Sequence, residues 1–195
     1  TNLPFAGDNT PPTASAQTVS AIEDVSQTIT LSGSDADGDD LSYIITSLPS
    51  NGTLTQFSGG AISTGTTVSD GSNRVKYISA SNGNGNSHGN FNFKVNDGTE
   101  DSDAATVTVN VTAVNDEPSF TKGSNQSVNE DAGAQTVSGW ASSLSKGSGD
   151  PSSQSLTFTV TNNNNSLFST QPAINSSGVL TYTSATNATG SATVS

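Results

Sequence analysis

The chain has 195 residues, a formal net charge of −12 at pH 7 and only five basic residues. This charge balance argues against a nucleic-acid role, which needs a basic surface to displace counterions, and disfavours electrostatic binding to anionic membranes. The chain contains no cysteine, which excludes a disulfide framework and thiolate chemistry. Cations are the small partners that so acidic a chain attracts.

The composition also bears on where the protein works. An acidic, lysine-poor chain without cysteine is typical of secreted or cell-surface proteins of bacteria. The sequence has no Met, no signal peptide and no apolar run long enough to span a bilayer. We therefore expect an extracellular protein that is either processed or an excised piece of a longer chain, with targeting and anchoring signals elsewhere.

Short runs of alternating apolar and polar residues predict β-strands throughout the first half of the chain. Residues 1–10 form a predicted N-terminal linker, and Pro11 and Pro12 then hold the chain extended. About seven short strands in roughly a hundred residues, separated by turn residues and without any helical pattern, predict an immunoglobulin-like β-sandwich. The first predicted strand ends at Ile22, and the others cover residues 28–31, 41–45, 53–55, 74–78, 91–95 and 106–114. Residues 57–72 show no clear strand pattern.

The same pattern begins again after a second predicted linker, residues 115–118. Spacings of about 105–115 residues between the repeated motifs match the length of one sandwich. The sequence therefore predicts two tandem domains, residues 11–114 and residues 119–195. The repeated motifs are Glu23-Asp24 with Glu130-Asp131, residues 41–43 with 156–158, and residues 75–77 with 180–182.

The second predicted domain is incomplete at its C-terminus. Its last legible strand, residues 191–194, aligns with residues 91–95, and nothing follows that matches residues 106–114. Three explanations stay open: the fragment stops early, the end is disordered, or a neighbouring subunit supplies the strand to the open sheet edge. In the third case the segment Leu3-Pro4-Phe5 is a candidate donor.

An acidic loop at residues 35–40 carries four carboxylates in six residues, and the nearest basic residue in sequence is Arg74. Like charges at about 4 Å repel by roughly 1 kcal/mol in water, so the loop stays splayed in solvent or surrounds a cation. Carboxylate oxygens beside a Gly, without His or Cys, indicate calcium rather than zinc or copper. An EF-hand is excluded, because its sixth and twelfth positions fall on Asp40 and Thr46. The acidic residues are Asp35, Asp37, Asp39 and Asp40.

Four segments of the first half, taken together, indicate a protein family more specifically than any one segment does alone. They are residues 18–24, residues 29–43 with the acidic loop, residues 91–98 and residues 109–118. Together they resemble the cadherin-like repeats of large bacterial surface and secreted proteins, including RTX-type adhesins. The resemblance covers nearly all of residues 9–118, and the second half is similar but weaker. It implies two tandem cadherin/immunoglobulin-like sandwiches.

In cadherins, calcium lies between consecutive domains and stiffens the rod, so the resemblance implies metal ligands at matching positions. Asp35 and Asp37 match the Asp-Ala-Asp motif that faces the incoming linker, and Asp40 belongs to the same acidic cluster. The linker residues would be Asp8 and Asn9. The site would be closed by Asp97.

A second site is implied at the opposite end of the first domain. Glu23 matches the acidic residue that faces the outgoing linker, Asn115 and Asp116. This site departs from the family pattern, because Ala113 stands where the cadherin linker usually has an acidic residue. The second domain has no Asp-x-Asp motif either.

No motif indicates catalysis. His88, the only histidine, lies in an Asn/Gly/Ser loop and is better explained as an exposed residue, and neither a nucleophile elbow nor a carboxylate cleft is evident. Trp140, the only tryptophan, either packs in the interior or stacks on a sugar. We therefore predict a non-enzymatic, calcium-stabilised adhesion or spacer module.

Two other functions stay open. One is a carbohydrate-binding accessory module of a secreted polysaccharide-active enzyme, and the other is a filament subunit that assembles by strand donation. The expected partners are neighbouring repeats of the same protein, a cell-surface or polysaccharide ligand, or a second copy at the open sheet edge.

Overall fold

The computed structural model describes residues 8–150 and 153–195, and it is built from β-strands as the sequence predicts. The helical structure in these ranges is one 3₁₀ turn, Asn165–Leu167, so the all-β class is confirmed. The chain divides into two units, one ending at Val114 and the other beginning at Asn115. Within the described ranges no helix is long and apolar enough to cross a membrane. The candidate donor segment Leu3-Pro4-Phe5 lies outside the described residues.

The first unit is a sandwich of two main sheets, which confirms the predicted immunoglobulin-like fold. One sheet has the strand order β2-β9-β8-β5 and the other β3-β7-β6, while β1 pairs with β4. The β2–β9 pair is parallel and the other pairs are antiparallel. The strands are β1 (Thr13–Ala14), β2 (Gln17–Ile22), β3 (Gln27–Thr30), β4 (Gly33–Ser34), β5 (Ser42–Ser47), β6 (Thr53–Gln56), β7 (Arg74–Ile78), β8 (Phe91–Asn96) and β9 (Ala105–Thr112).

The core of the first unit follows from the two-residue period of its strands. Every second side chain of β8 and β9 is buried, and the residues between them reach the surface. Phe93 stacks on Tyr43 of the neighbouring strand, with ring centroids 6.1 Å apart. Each fully buried Phe, Val or Ile contributes about 1.5–3 kcal/mol relative to an exposed side chain. The sheet pair therefore depends on alternation that is legible in the sequence.

Tyr77 is a buried polar anchor on β7. Its hydroxyl donates a hydrogen bond to the backbone oxygen of Asn51 at 2.8 Å, and burial raises its pKa. Two glycines leave room for the ring. A Cβ atom on Gly89 would lie 2.3 Å from the Tyr77 hydroxyl oxygen, and one on Gly52 would lie 2.8 Å from the ring. A side chain at Gly89 requires movement of the tyrosine, and one at Gly52 would also meet the backbone oxygen of Ile78.

The second unit repeats one sheet of the first. Its order β11-β14-β13 corresponds to β3-β7-β6, and β10 pairs with β12 as β1 pairs with β4. The register also agrees, because Gln135 lies opposite Tyr182 as Gln27 lies opposite Tyr77. The strands are β10 (Ser119–Lys122), β11 (Ala134–Val137), β12 (Ala141–Ser145), β13 (Phe168–Ile174) and β14 (Leu180–Ser184).

The repeated Glu-Asp motif forms the same turn in both units. Asp24 and Asp131 have φ angles of 57° and 58°, in the left-handed region that Asp tolerates better than most residues. Asp24 accepts a hydrogen bond from the backbone N–H of Asn82 at 3.2 Å, and Asp131 accepts one from Asn187 at 3.0 Å. This motif therefore shapes a turn. The second sandwich domain, which the sequence predicts to be incomplete at its C-terminus, stays a prediction.

Two predicted strands of the second unit are wrong. Residues 156–158 and 191–194 do not form ladders. Asn162 and Val194 form a single bridge instead, and Thr161 and Ser195 exchange two backbone hydrogen bonds of 2.9 Å. A strand needs a neighbour that pairs with its backbone groups, and alternation within one segment does not supply that neighbour.

We expect Gly89→Ala to destabilise the first unit by about 1–3 kcal/mol, since the new methyl group overpacks the Tyr77 site. Gly71→Ala is the matched control, because nothing lies within 4 Å of a Cβ atom there and its φ is not in the left-handed region. It should leave stability unchanged or slightly raised. Urea unfolding followed by circular dichroism compares the two, and equal midpoints would contradict the assigned role of Gly89.

Candidate functional site

The acidic loop is folded around one carboxylate oxygen. Asp35 Oδ1 accepts hydrogen bonds from the backbone N–H groups of Asp37, Gly38 and Asp39, at 2.8, 2.9 and 3.1 Å. Gly38 has a φ of 85°, which an L side chain rarely adopts. The Asp-Ala-Asp-Gly-Asp sequence is therefore a tight turn, with Asp35 at its start accepting the N–H groups that follow.

The other oxygen of the same carboxylate is in a different situation. Asp35 Oδ2 is buried, and the described residues offer it no hydrogen-bond donor. A charged oxygen removed from water without a donor or a cation costs free energy, and such groups are rare in native proteins. This oxygen is therefore the point in the loop where a bound cation would relieve the largest electrostatic cost.

The incoming segment of the first unit is attached beside the loop. Asn9 donates through its side-chain amide to Asp97 Oδ2 at 3.0 Å and to Glu100 at 3.4 Å. The backbone N–H of Thr10 donates to Asp37 Oδ2 at 2.7 Å. Residues distant in sequence thus meet at one end of the sandwich, as the resemblance implies for Asn9, Asp37 and Asp97. Asp8 is exposed at the same segment.

Asp97 also organises its own turn. Its Oδ1 accepts the backbone N–H groups of Thr99 and Glu100, both at 2.7 Å. The Glu100 and Thr99 N–H groups, together with the Asn9 amide, lower the pKa of Asp97. The sequence prediction missed Glu100 as a contact of the incoming segment. The sequence Asp-Gly-Thr-Glu at residues 97–100 is a turn signal that could have pointed to Glu100, because such a turn brings Glu100 close to Asp97.

The donor chemistry fits calcium, but the carboxylates are not gathered around one point. Among residues 8–150 and 153–195, no three Asp, Glu, His or Cys side chains are placed as a metal-binding group. The available donors are carboxylate and amide oxygens, which calcium prefers. Two observations thus favour a cation at this end, the buried Asp35 Oδ2 and the attachment of the incoming segment to acidic side chains.

The remaining acids of the loop face an adjacent open groove. Asp39 and Asp40 line this groove, of about 490 Å³, together with Asp70. Asp70 is paired with Arg74 at 2.8 Å, and this hydrogen-bonded partner lowers the pKa of Asp70 to about 2. The Arg74 guanidinium also lies 3.7 Å from the ring centre of Phe57. Arg74 is thus paired with Asp70, and Asp40 has no salt bridge to a basic side chain in the described chain.

At the opposite end, Glu23 is occupied by protein donors. Its side chain is 3% exposed, and its two oxygens accept hydrogen bonds from the backbone N–H of Val114 and the side-chain amide of Asn84. The Glu23 N–H donates in turn to the oxygen of Thr112 at 3.0 Å. Glu23 thus anchors the end of β9, the outgoing end of the first unit.

The other predicted ligands of this end, Asn115 and Asp116, belong to the second unit. The Asn115 side-chain oxygen accepts a hydrogen bond from Gln154 at 2.7 Å. The backbone N–H of Asp116 donates to Asp150 Oδ2 at 3.1 Å, and the other oxygen of Asp150 is buried without a partner in the described chain. This contact repeats the Thr10–Asp37 contact of the first unit, although the loop before Asp150 has no Asp-x-Asp motif.

His88 and Trp140, the only histidine and the only tryptophan of the sequence, both lie against neighbouring backbone. His88 is half-buried rather than exposed as predicted, its Nε2 packs against Gly83, and that atom has no hydrogen-bond partner in the described residues. Trp140 is half-buried, and its indole N–H donates to the backbone oxygen of Ser124 at 2.9 Å. Its ring packs against Gly123. The ring of His88 is thus in contact with its own loop, and the ring of Trp140 is anchored by a backbone hydrogen bond.

Comparison with known protein families gives a match over the first unit. A family model described as a bacterial Ig domain matches residues 9–110, slightly more than half of the chain. The match begins at the incoming segment and ends within β9, so it covers the acidic loop, Asp97 and Glu23. No curated protein matches the chain.

We expect Glu23→Ala to destabilise the first unit by about 2–4 kcal/mol, because two part-buried donors lose their acceptor and each costs about 1–2 kcal/mol, in the lower part of the range for fully buried groups. Glu130→Ala is the matched control in the second unit. Glu130 is exposed and makes no hydrogen bond within the described chain, so this change should stay within about 0.5 kcal/mol. Amide hydrogen exchange provides the readout, and undiminished protection of the Val114 amide in Glu23→Ala would count against the anchor.

A second prediction concerns pH. Because the folded chain lowers the pKa of Asp97, the ionised side chain adds stability above its ordinary pKa of about 3.9, and this is lost as pH falls through the lowered value. The carboxyl carbon of Asp97 should therefore titrate below about 3.9 by NMR. Asp97→Asn should remove this part of the acid dependence. A midpoint at or above the ordinary value would refute the assigned hydrogen bonds.

Proposed function

Because the chain belongs to the bacterial Ig domain family, we propose that it is a calcium-stabilised structural module of an extracellular bacterial surface protein. Bacterial Ig domains form a non-catalytic structural family that is common in surface proteins. The proposal adds calcium, the extracellular location and a role as a spacer or support for adhesion. Neighbouring repeats of the same protein are the proposed partners.

The buried Asp35 Oδ2 is the single observation that carries the calcium proposal. Its partner oxygen already accepts three backbone N–H groups, and because the two oxygens are equivalent, rotation of the carboxylate would leave the same buried position without a donor. A cation at Oδ2 would satisfy this oxygen and offset the repulsion between neighbouring acids. The ligands would come from Asp35, Asp37, Asp97 and the side-chain oxygens of Asp8 or Asn9.

The same arrangement explains how a cation would stiffen the protein. The incoming segment is held by exposed hydrogen bonds from Asn9 and Thr10 to Asp97 and Asp37. Such bonds exchange readily with water and contribute about 0.5–1.5 kcal/mol each. A cation shared by the loop and the segment would add an electrostatic link between them. The resulting function is mechanical, because it fixes the direction in which the chain enters the sandwich.

We expect calcium to raise the melting temperature of the protein and a chelator to reverse the effect. Extracellular modules bind calcium with dissociation constants of about 10⁻⁴–10⁻³ M. Calcium at about 100 times the dissociation constant would stabilise the first unit by about 2.7 kcal/mol. Differential scanning calorimetry with calcium, with magnesium and with chelator measures the effect.

Asp35→Asn is the informative variant, because its amide oxygen can still accept the three loop N–H groups while the charge at Oδ2 is lost. It should fold and lose the calcium response. Glu130→Gln removes the same charge from an exposed site of the second unit and should keep the response. The calcium proposal fails if the parent melts at one temperature in calcium and in chelator, or if both variants respond equally.

A further inference from the structure

Along its full length, β3 has a neighbouring strand on one side only. It pairs with β7 on that side, and its continuation, β4, pairs on the other side with β1. The Ser15 N–H extends the β1–β4 pairing by donating to the backbone oxygen of Ser32 at 2.9 Å. The chain then crosses to the other sheet, where β2 pairs with β9. The side of β3 that faces away from β7, its outer edge, therefore has no strand beside it in the described part of the first unit.

The register shows which backbone groups point out of this outer edge. One pair beyond the β3–β7 register, the Leu31 N–H donates to the backbone oxygen of Asn73 at 2.9 Å. In an antiparallel ladder every second residue bonds to the same neighbour, so Leu31 and Ile29 bond toward β7. The N–H and C=O groups of Thr28 and Thr30 therefore point away from β7, and both residues are exposed.

Glutamine side chains bind both outward carbonyl oxygens of β3. Gln17 donates through its side-chain amide to the oxygen of Thr30 at 3.0 Å, and Gln27 donates to the oxygen of Thr28 at 2.8 Å. The first contact continues the β1–β4 register, in which Gln17 would lie opposite Thr30. The Gln17 side chain thus takes the place of a backbone N–H at the point where the chain has crossed to the other sheet.

The strand lacks the features that usually protect an exposed edge. Proteins discourage pairing between edges with charged side chains or Pro. Residues 27–34, Gln-Thr-Ile-Thr-Leu-Ser-Gly-Ser, contain neither. Thr and Ile favour strands, and the apolar residues Ile22 and Val25, just before β3, are 51% and 52% exposed. The two glutamine contacts are therefore the features of this segment that oppose pairing with another strand.

We propose that Gln17 and Gln27 close the outer edge of β3 against pairing with the same edge of a second copy. A strand that adds to this edge must donate its own N–H groups to Thr28 and Thr30, and the glutamine amides already occupy those oxygens. Two copies related by a two-fold axis would present the same donors and acceptors to each other, so the edge is complementary to itself. Loss of the glutamine amides would therefore permit an antiparallel β3–β3 pair.

This role goes beyond the proposed function and bears on it. A protein built from neighbouring repeats holds similar sandwiches close together, where the effective concentration of one edge near another is high. Closed edges would keep such repeats separate. The inference does not depend on calcium, because the contacts that carry it are made by backbone groups and glutamine amides.

The test removes both amides from the 195-residue chain in the double variant Gln17→Ala/Gln27→Ala. We expect this variant to self-associate with a dissociation constant at least tenfold below that of the parent, which corresponds to about 1.4 kcal/mol. Sedimentation velocity measures the association, and NMR locates it through concentration-dependent shifts of the Thr28 and Thr30 amides. Circular dichroism establishes that the variant is folded. Gln17→Ala alone opens one carbonyl and provides the same comparison if the double variant does not fold.

Two further variants control for unspecific association. Thr28→Pro, added to the double variant, removes an outward N–H at an edge position that Pro tolerates, and it should restore the parent's state. Gln126→Ala removes an amide that donates to the Ser124 oxygen outside any strand, and it should behave as the parent does. The proposal is overturned if the double variant associates no more than the parent, or if Thr28→Pro leaves the association unchanged. Concentration-dependent shifts of Thr28 and Thr30 in the parent would also overturn it.

Discussion

The first sandwich depends on the position of β9 between β2 and β8. This strand satisfies the backbone of both neighbours, in parallel on one side and antiparallel on the other. It also buries Val107 and Val109 completely. Glu23 then fixes the end of β9 by accepting a hydrogen bond from the Val114 N–H.

In the second unit no described segment takes the position that β9 has in the first. The three-stranded sheet persists there without it, whereas the counterparts of β5 and β8 do not form ladders. The sheet β3-β7-β6 does not pair with β9, because β3 and β6 both pair with β7.

The two ends of the first unit differ in whether the oxygens of their acidic side chains have hydrogen-bond donors. Glu23 is nearly inaccessible, but amide donors occupy both of its oxygens, so its charge needs no cation. Asp35 has donors on one oxygen and none on the other in the described residues. The family resemblance assigns both residues to calcium sites. Hydrogen-bond accounting separates them, because only Asp35 has an unsatisfied oxygen that a cation would relieve.

Much of the first unit was predictable from the sequence, since strands such as β7 and β8 alternate strictly and lie between clear turns. Residues 57–72 were not, because their pairing consists of isolated bridges such as Ile44 with Thr67, which leave no local period. Residues 156–158 show the opposite error, because their alternation predicts a strand that the structure does not have. Alternation is read from one segment, whereas pairing requires a second one. The contact between Asn9 and Asp97 came from the resemblance, because no local pattern joins residues 88 positions apart. The turn from Asp97 to Glu100 was legible in the sequence, but the contact of Glu100 with Asn9 and the burial of Asp35 Oδ2 require the folded chain.

The contact between an incoming segment and a loop carboxylate occurs once in each unit. The contact in the second unit shows that this hydrogen bond alone does not indicate a calcium site. Thr10 donates to Asp37 and Asp116 donates to Asp150, so each unit begins with a backbone N–H bound to a carboxylate. The second loop carries Lys146 and lacks the Asp-x-Asp motif, yet the contact is kept. The hydrogen bond therefore does not require a cluster of acids, and one carboxylate is enough to attach the segment. The additional carboxylates of the first loop raise repulsion without adding to this attachment. A cation would offset that repulsion, which is why the acidic excess, and not the shared hydrogen bond, distinguishes the first loop as a candidate calcium site.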